Sequence, residues 1–306
     1  MKTEGEHVLV IIPTYNRAKV LPEAVRSVLA QDYPFVKIVI VDDGSEDSTH
    51  KICLPFLQAN PDSLFYCRKP NGGCASARNH GLTYLNASIG YVCFLDSDDR
   101  MLEGKLSVEV NTLRRSPAAD FCYSDYILYE EHTGKKTLVK PAAAGNPDHF
   151  AIEHFLTNNA KPGAILYRSH IFYTKRFDED FRYNEDSEFL QRVAIEHTGV
   201  YSEKPSCWVR VHPEGKSRNR PEICQAVLSA YQKTMVSYPD FYHRYREPIK
   251  QRIQKTRSDL FAELAMRGRY REAEAHATGI RKRVLLYLRL GIYYRLKLFL
   301  NDRGRR

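Results

Sequence analysis

The chain is short of the features that would place it at once. No uninterrupted apolar run reaches the roughly 18 residues of a membrane-spanning helix. The seven cysteines, at positions 53, 67, 74, 93, 122, 207 and 224, are scattered and odd in number. That pattern excludes a disulfide framework or a cysteine-built zinc site and fits reduced thiols in a cytosolic setting. No secretory leader is expected at the start, because Val8 to Ile12 is too short for an h-region and runs into Pro13. No Gly-x-Gly-x-x-Gly follows the first apolar segment, which disfavours a nicotinamide-binding Rossmann domain. A Gly-x4-Gly-Lys-Ser/Thr loop is also missing, and with it the P-loop NTPases.

What is present reads as soluble globular protein. At 306 residues, 43% hydrophobic and 27% charged, the chain can bury one large domain and still carry an appendage. Charge is unevenly spread. From residue 241 to the end, 18 Lys/Arg stand against 6 Asp/Glu, a net of +12, whereas the whole chain is +9 and residues 1–240 therefore carry −3. Such a tail suits an anionic membrane surface or nucleic acid. Nucleic acid is disfavoured, since no recognised binding motif accompanies the charge.

The first half alternates strands and helices. His7 to Pro13 reads as a buried strand, Val36 to Val41 is an apolar, β-branched run, Leu64 to Cys67 is a short strand and Tyr91 to Leu95 the next. Between them lie helical patterns: Leu21 to Leu29, a segment capped by Asp47, Ser48 and Thr49, one reaching about Leu85, and Leu106 to Leu113. This order predicts an α/β fold with a doubly wound, mostly parallel sheet, whose ligands gather at the carboxyl ends of the strands. Three polar clusters sit at those ends: Pro13-Thr14-Tyr15-Asn16, Asp42-Asp43-Gly44-Ser45 and Asp96-Ser97-Asp98-Asp99. The third puts three carboxylates within four residues at the end of a core strand. Like charges repel there unless a cation compensates, and Mg2+ or Mn2+ suits an all-oxygen donor set. A solvated acidic turn capping the next helix is the plainer alternative.

Taken together and in order, Val10-Ile11-Ile12-Pro13-Thr14-Tyr15-Asn16-Arg17, Val41-Asp42-Asp43-Gly44-Ser45, Asn71-Gly72-Gly73 with Ala77-Arg78-Asn79, and Phe94-Leu95-Asp96-Ser97-Asp98-Asp99 resemble the family 2 glycosyltransferases of the GT-A fold. The resemblance covers about residues 7–215. It implies that Pro13, Tyr15, Asn16 and Asp43 lie around the nucleotide, with Arg78 near base and diphosphate. Asp96 would reach the ribose or the metal's water shell and Asp98 would ligate the metal. Asp99 is either a further ligand or a helix cap.

Tyr183-Asn184-Glu185-Asp186-Ser187-Glu188 opens a helix, and its Glu-Asp pair is similar to the family motif in which the Asp is the catalytic base. Asp186 is therefore the expected base, ahead of Glu185. Otherwise both acids simply complement the dipole at a helix N-terminus. Trp208-Val209-Arg210-Val211-His212 resembles the family's late strand, with His212 as a metal ligand, a phosphate contact or an ordinary surface residue. Arg210, Lys216, Ser217 and Arg218 are expected in a flap over the diphosphate. Lys161-Pro162-Gly163-Ala164 is either an acceptor-side wall or a plain loop.

The expected division is a catalytic domain over 1–220 (a nucleotide-sugar half, 1–115, and an acceptor and base half, 116–220) followed by a basic helical region, 221–306. Within the latter, residues 281–306 read as an interfacial helix on anionic lipid or as a terminal helix packed on the protein. The activity expected is inverting, metal-dependent transfer from a nucleotide-sugar, UDP-linked, to a glycan or lipid-linked acceptor, in the cytoplasm or peripheral on a membrane's cytosolic face. A sugar nucleotidyltransferase and a catalytically silent nucleotide-sugar-binding protein are the alternatives. The first lacks its usual Gly-rich, Lys-bearing loop.

Overall fold

A computed structural model describes residues 6–141, 149–211 and 219–276. The chain forms two compact units, residues 1–215 and 216–306. In the first, β1 (His7–Thr14), β2 (Val36–Asp42), β3 (Leu64–Arg68) and β4 (Ile89–Phe94) pair in parallel in the order β3-β2-β1-β4. The connections are α1 (Leu21–Leu29), α2 (Thr49–Ala59) and α3 (Cys74–Gly81), and α4 (Lys105–Arg115) follows the two-residue β5 (Arg100–Met101).

Side-chain alternation explains why helices cover both faces. Leu9, Ile11, Val39, Val41, Val92 and Phe94 point into one apolar layer, where they meet Ala75 and Ala77 of α3. Val8, Val10, Ile12, Ile38, Ile40 and Cys93 point into the other, against Leu21, Val25 and Val28 of α1 and Leu106, Val110 and Leu113 of α4. A strand buried on both faces reads as a continuous apolar run, as Val8 to Ile12 does.

Beyond β4 the pairing changes hand. β8 (Ile165–Arg168) runs antiparallel to β4 and to β6 (Phe121–Glu130), and β6 is parallel to the long β9 (Gly199–Val211). β7 (Lys135–Val139) pairs with β6, while β5 closes the far edge against β9. α5 (Phe150–Thr157), α6 (Ile171–Thr174) and α7 (Glu185–Glu196) complete this unit. Phe189, Leu190 and Val193 of α7 are buried in the same layer as Phe94, which brings the start of α7 toward the end of β4.

The second unit is helical: α8 (Arg220–Ser237), α9 (Pro239–Arg244), α10 (Arg246–Met266) and α11 (Tyr270–His276). Gly268, at φ +73°, turns α10 into α11, and Leu260, Leu264 and Ala273 pack between them. Arg269 pairs with Glu222 and Glu272. No helix of the described residues is long and apolar enough to cross a membrane.

Candidate active site

The clusters predicted at strand ends occupy neighbouring ones, because β1 lies between β2 and β4. After β1, Pro13 is buried and Tyr15 is 46% exposed. Asn16 adopts φ +52°, its Oδ1 accepts the amides of Glu46 (2.8 Å) and Asp47 (3.3 Å), and its own amide donates to Ser45 Oγ at 2.8 Å. The loops after β1 and β2 are thus tied to each other.

Asp43, 4% exposed, organises the loop after β3. Its Oδ1 accepts from Lys69 Nζ (2.8 Å) and the Gly72 amide (2.9 Å), and Oδ2 accepts from the Gly73 amide at 2.7 Å. Gly44 must be glycine for two reasons. Its φ is +87°, and a Cβ would sit 3.1 Å from the Asn71 nitrogen and 3.3 Å from the Lys69 carbonyl oxygen.

At the end of β4 the turn closes through the Asp99 amide donating to the Asp96 carbonyl at 3.0 Å. Asp99 is 4% exposed and accepts the Arg210 amide at 2.9 Å. Burial and the repulsion of Asp96 and Asp98 push its carboxyl well above the usual range, against which the Arg210 amide and Lys161 act. Asp96 is also raised, first by burial, then opposed by Arg78, with Asp98 and Asp186 adding repulsion. Asp98 is partly exposed, and its Oδ2 lies 3.5 Å from Arg17 Nη2.

Arg78 joins this cluster to α7. The side chain, 1% exposed in α3, donates from Nη2 to Asp96 at 2.8 Å and from Nη1 to Glu185 at 2.9 Å, and it stacks on Phe177 at 5.3 Å. Its Nε and the Thr14 hydroxyl have no partner among the described residues. Glu185 is raised by burial, with Arg78 holding it down and Asp186 pushing it up. Asp186, the next residue, lines a small cavity with Phe94, Lys161, Tyr167, Phe177 and Leu190, and its Oδ1 accepts the Ser187 amide at 2.8 Å. The α7 N-terminus is set by Asn184 at φ +63°, whose Oδ1 accepts from Asn158 Nδ2 at 2.8 Å.

A sequence model described as Glycosyl transferase family 2 matches residues 9–178. An uncharacterized glycosyltransferase of Rickettsia typhi is 33% identical over 235 residues, 74% of this chain and 72% of that protein. The chain belongs to glycosyl transferase family 2. It is also 29% identical over 194 residues to the minor teichoic acid biosynthesis protein GgaB of Bacillus subtilis, covering 60% of this chain but only 20% of that protein. Among solved structures, S. aureus TarS in complex with UDP-GlcNAc superposes with a TM-score of 0.61 at 18% identity, over 84% of this chain and 73% of the other. The mannosyltransferase PcManGT of Pyrobaculum calidifontis, in complex with GDP-Man and Mn2+, gives 0.62 at 18% identity over 97% and 84%. These likenesses agree with the GT-A fold expected from the sequence.

Seen as a family 2 glycosyltransferase, the chain brings Arg78, Asp96 and Glu185 into one contact network, puts Asp186 near enough for its charge to act on both acids, and sets Asp43 and Asn16 on adjoining loops. His212, Lys216, Ser217 and Arg218 lie outside the described residues. Arg210 requires a correction: it is part of β9, not of a flap. Its Nε donates to the Asp98 carbonyl (3.1 Å) and its Nη atoms to Glu131 and Glu23 (2.6 Å each), so it braces the acidic turn from behind. Lys69, Arg17 and the Glu185 grip on Arg78 were not singled out from the sequence. Lys69 follows the half-buried edge strand β3, where a lysine is unremarkable in sequence, and only the fold shows that it pairs with Asp43.

The donor set of the acidic turn fits a hard divalent cation. It offers carboxylate oxygens alone, and two of its three acids are raised, first by burial and then by the charge of neighbouring carboxylates, Asp98 among them in both cases, which is the condition a cation relieves.

Proposed function

We propose that this enzyme transfers a sugar, with inversion at the anomeric carbon, from a UDP-linked donor to a hydroxyl of a glycan or lipid-linked acceptor. One observation carries the reading: Arg78 bridges Asp96 and Glu185, so the strand-end acids and the Glu185-Asp186 pair share one site. A nucleotide-sugar donor is supported by the ligands named in both the TarS and PcManGT structures, the choice of UDP by the UDP-GlcNAc of TarS alone, since PcManGT holds GDP-Man, and the choice of a surface-polymer acceptor by the teichoic acid role named for GgaB.

Pro13, Tyr15, Asn16 and Asp43 would surround the nucleotide. Asp43 accepts three donors in the protein, and its oxygens together offer about four lone-pair sites, which leaves one for a base N–H. Asp98, with Asp96, Asp99 and His212, would hold Mn2+ or Mg2+. A bound cation supplies charge neutralisation to the diphosphate, so the leaving group needs no proton. Asp186 takes the proton of the acceptor hydroxyl as its oxygen bonds to the anomeric carbon. The bond from that carbon to the diphosphate oxygen breaks on the opposite side, and its electron pair stays on the leaving UDP. The apolar walls of the Asp186 cavity, Phe94 and Phe177, keep bulk water from competing with the acceptor. We assign catalysis to residues 1–220 and surface association to the basic region 221–306.

A screen of nucleotide-sugars reporting UDP release, with and without Mn2+ and followed by mass analysis of the product, tests this. A UDP-sugar consumed only with metal and acceptor is expected. Turnover without metal would overturn the mechanism.

A further inference from the structure

Asp120, His170 and His197 meet at the end of the sheet opposite the acidic turn. β4 runs toward Asp96, and β8 runs back along it with Arg168 opposite Tyr91, so His170 emerges beside the start of β4. Asp120 leads into β6, and His197 closes α7 ahead of β9. Asp120 Oδ1 lies 3.1 Å from His170 Nε2, and Asp120 Oδ2 lies 3.1 Å from His197 Nδ1. One ligand atom from each of the three falls within 4.8 Å of the other two.

Those spacings match a metal site as well as a pair of hydrogen bonds. Ligands at 2.0–2.1 Å around a tetrahedral cation stand ~3.3 Å apart, so the two 3.1 Å spacings already fit, and the remaining separation, within 4.8 Å, closes by side-chain rotation when an ion replaces the hydrogen bonds. The three backbones are held by the fold. The Asp120 amide donates to the Thr198 carbonyl and the Arg168 amide to the Asp120 carbonyl, each at 2.8 Å. The His197 amide donates to Val193 (2.8 Å) and the Tyr173 amide to His170 (3.1 Å). Arg168, two residues before His170, donates from Nε to the Ala119 carbonyl (2.8 Å) and from Nη2 to the Leu113 carbonyl (2.7 Å). His170 is half exposed, leaving a position open to water.

We propose that Asp120, His170 and His197 bind one zinc(II)-class cation, with solvent as the fourth ligand. Two imidazoles and one carboxylate suit zinc and the neighbouring late first-row ions, whereas the all-oxygen acidic turn suits Mg2+ or Mn2+. The site clamps three segments far apart in the chain: the entry to β6, the exit of β8 and the turn between α7 and β9. It is independent of the proposed transfer reaction.

Chelator-treated full-length protein is titrated with Zn2+ by calorimetry and with Co2+ by visible absorption, beside His170→Asn and His197→Gln. Wild type is expected to take up a tight zinc equivalent, to show tetrahedral cobalt bands, and to melt at higher temperature with zinc. Each variant, folded by circular dichroism, is expected to bind that zinc ~100-fold more weakly, at least the loss caused by removing a hydrogen-bond partner of a ligand, with Mn2+ affinity unchanged. Wild-type zinc affinity in both variants, or no zinc uptake by wild type, overturns the site and leaves two ordinary histidine–carboxylate hydrogen bonds.

Discussion

Arg78 holds two carboxylates on one buried guanidinium, so its loss leaves Asp96 and Glu185 unpaired in a site where burial already raises both. Removing one partner of a buried charge group costs about 3–5 kcal/mol. Arg78→Ala is therefore expected to lower the unfolding free energy by an amount of that order, read as a fall in the urea midpoint at unchanged slope. Arg78→Lys restores only part of it, because one ammonium cannot repeat the planar fork that spans both acids. Asp186 differs: it lines the cavity and its Oδ1 accepts only a neighbouring backbone amide, that of Ser187, among the described hydrogen bonds, so Asp186→Asn is expected to keep the fold. On the proposed mechanism that variant binds UDP-sugar within ~2-fold of wild type while transfer falls ~10²–10⁴-fold, the usual worth of a general base. Equilibrium binding and single-turnover assays separate the two effects, and normal turnover in Asp186→Asn would remove it from the role. Asp96, Arg78 and Asp186 could be nominated from sequence because each sits in a motif. The link from Arg78 to Glu185 could not, since the two are 107 positions apart and local sequence carries no record of a tertiary contact.

Packing between elements fixes where the Asp186 carboxylate stands. His154 of α5 is 3% exposed, and its Nε2 lies 3.2 Å from the Ser187 carbonyl and 3.1 Å from the Ser187 hydroxyl, one residue beyond Asp186. Burial lowers its pKa to about 4, against the opposing pull of Ser187 and Asp186. An unfolded histidine protonates near 6.5, so between about pH 6.5 and 4 the unfolded chain binds the extra proton and stability falls as pH falls. The difference of roughly 2.5 units corresponds to about 3 kcal/mol. His154→Gln, which keeps a donor but does not titrate, is expected to lose that much less stability over this range in urea unfolding at stepped pH. Matching acid limbs for the two proteins would show that His154 is not held neutral. Three of the four parallel strands were legible as apolar runs buried on both faces, and β3, a half-buried edge strand without a β-branched residue, as a short apolar and aromatic run between turn residues. β5 is two residues long, and β6 sets the adjacent Ser124 and Asp125 inside an apolar run before its half-buried end, so neither gave a clear period. α7 was legible at its start because Asn184, Glu185 and Asp186 supply the turn and the acidic first residues that helix N-termini favour.

Across the whole molecule, charge is divided rather than balanced: residues 1–240 carry −3 and the remainder +12. An enzyme that elongates a lipid-linked acceptor gains from being held at an anionic surface, where local acceptor concentration is high. Residues 281–306, which lie outside the described part of the structure, contain nine Lys/Arg and one Asp among Leu, Ile, Tyr and Phe. Each basic residue near an anionic surface contributes about 1 kcal/mol, and that contribution is screened as the Debye length shrinks to about 3 Å at 1 M salt. The full chain is therefore expected to sediment with phosphatidylserine-containing vesicles at low salt and to stay in solution with phosphatidylcholine alone. Removing 281–306 should abolish the difference without changing UDP release on a soluble acceptor. An unchanged bound fraction after truncation would leave this segment as a packed terminal helix with solvated charges. Salt then separates the two forces within the segment. Binding that vanishes at 1 M salt is electrostatic, whereas a fraction that persists measures the apolar face inserted among the acyl chains, which salt does not weaken.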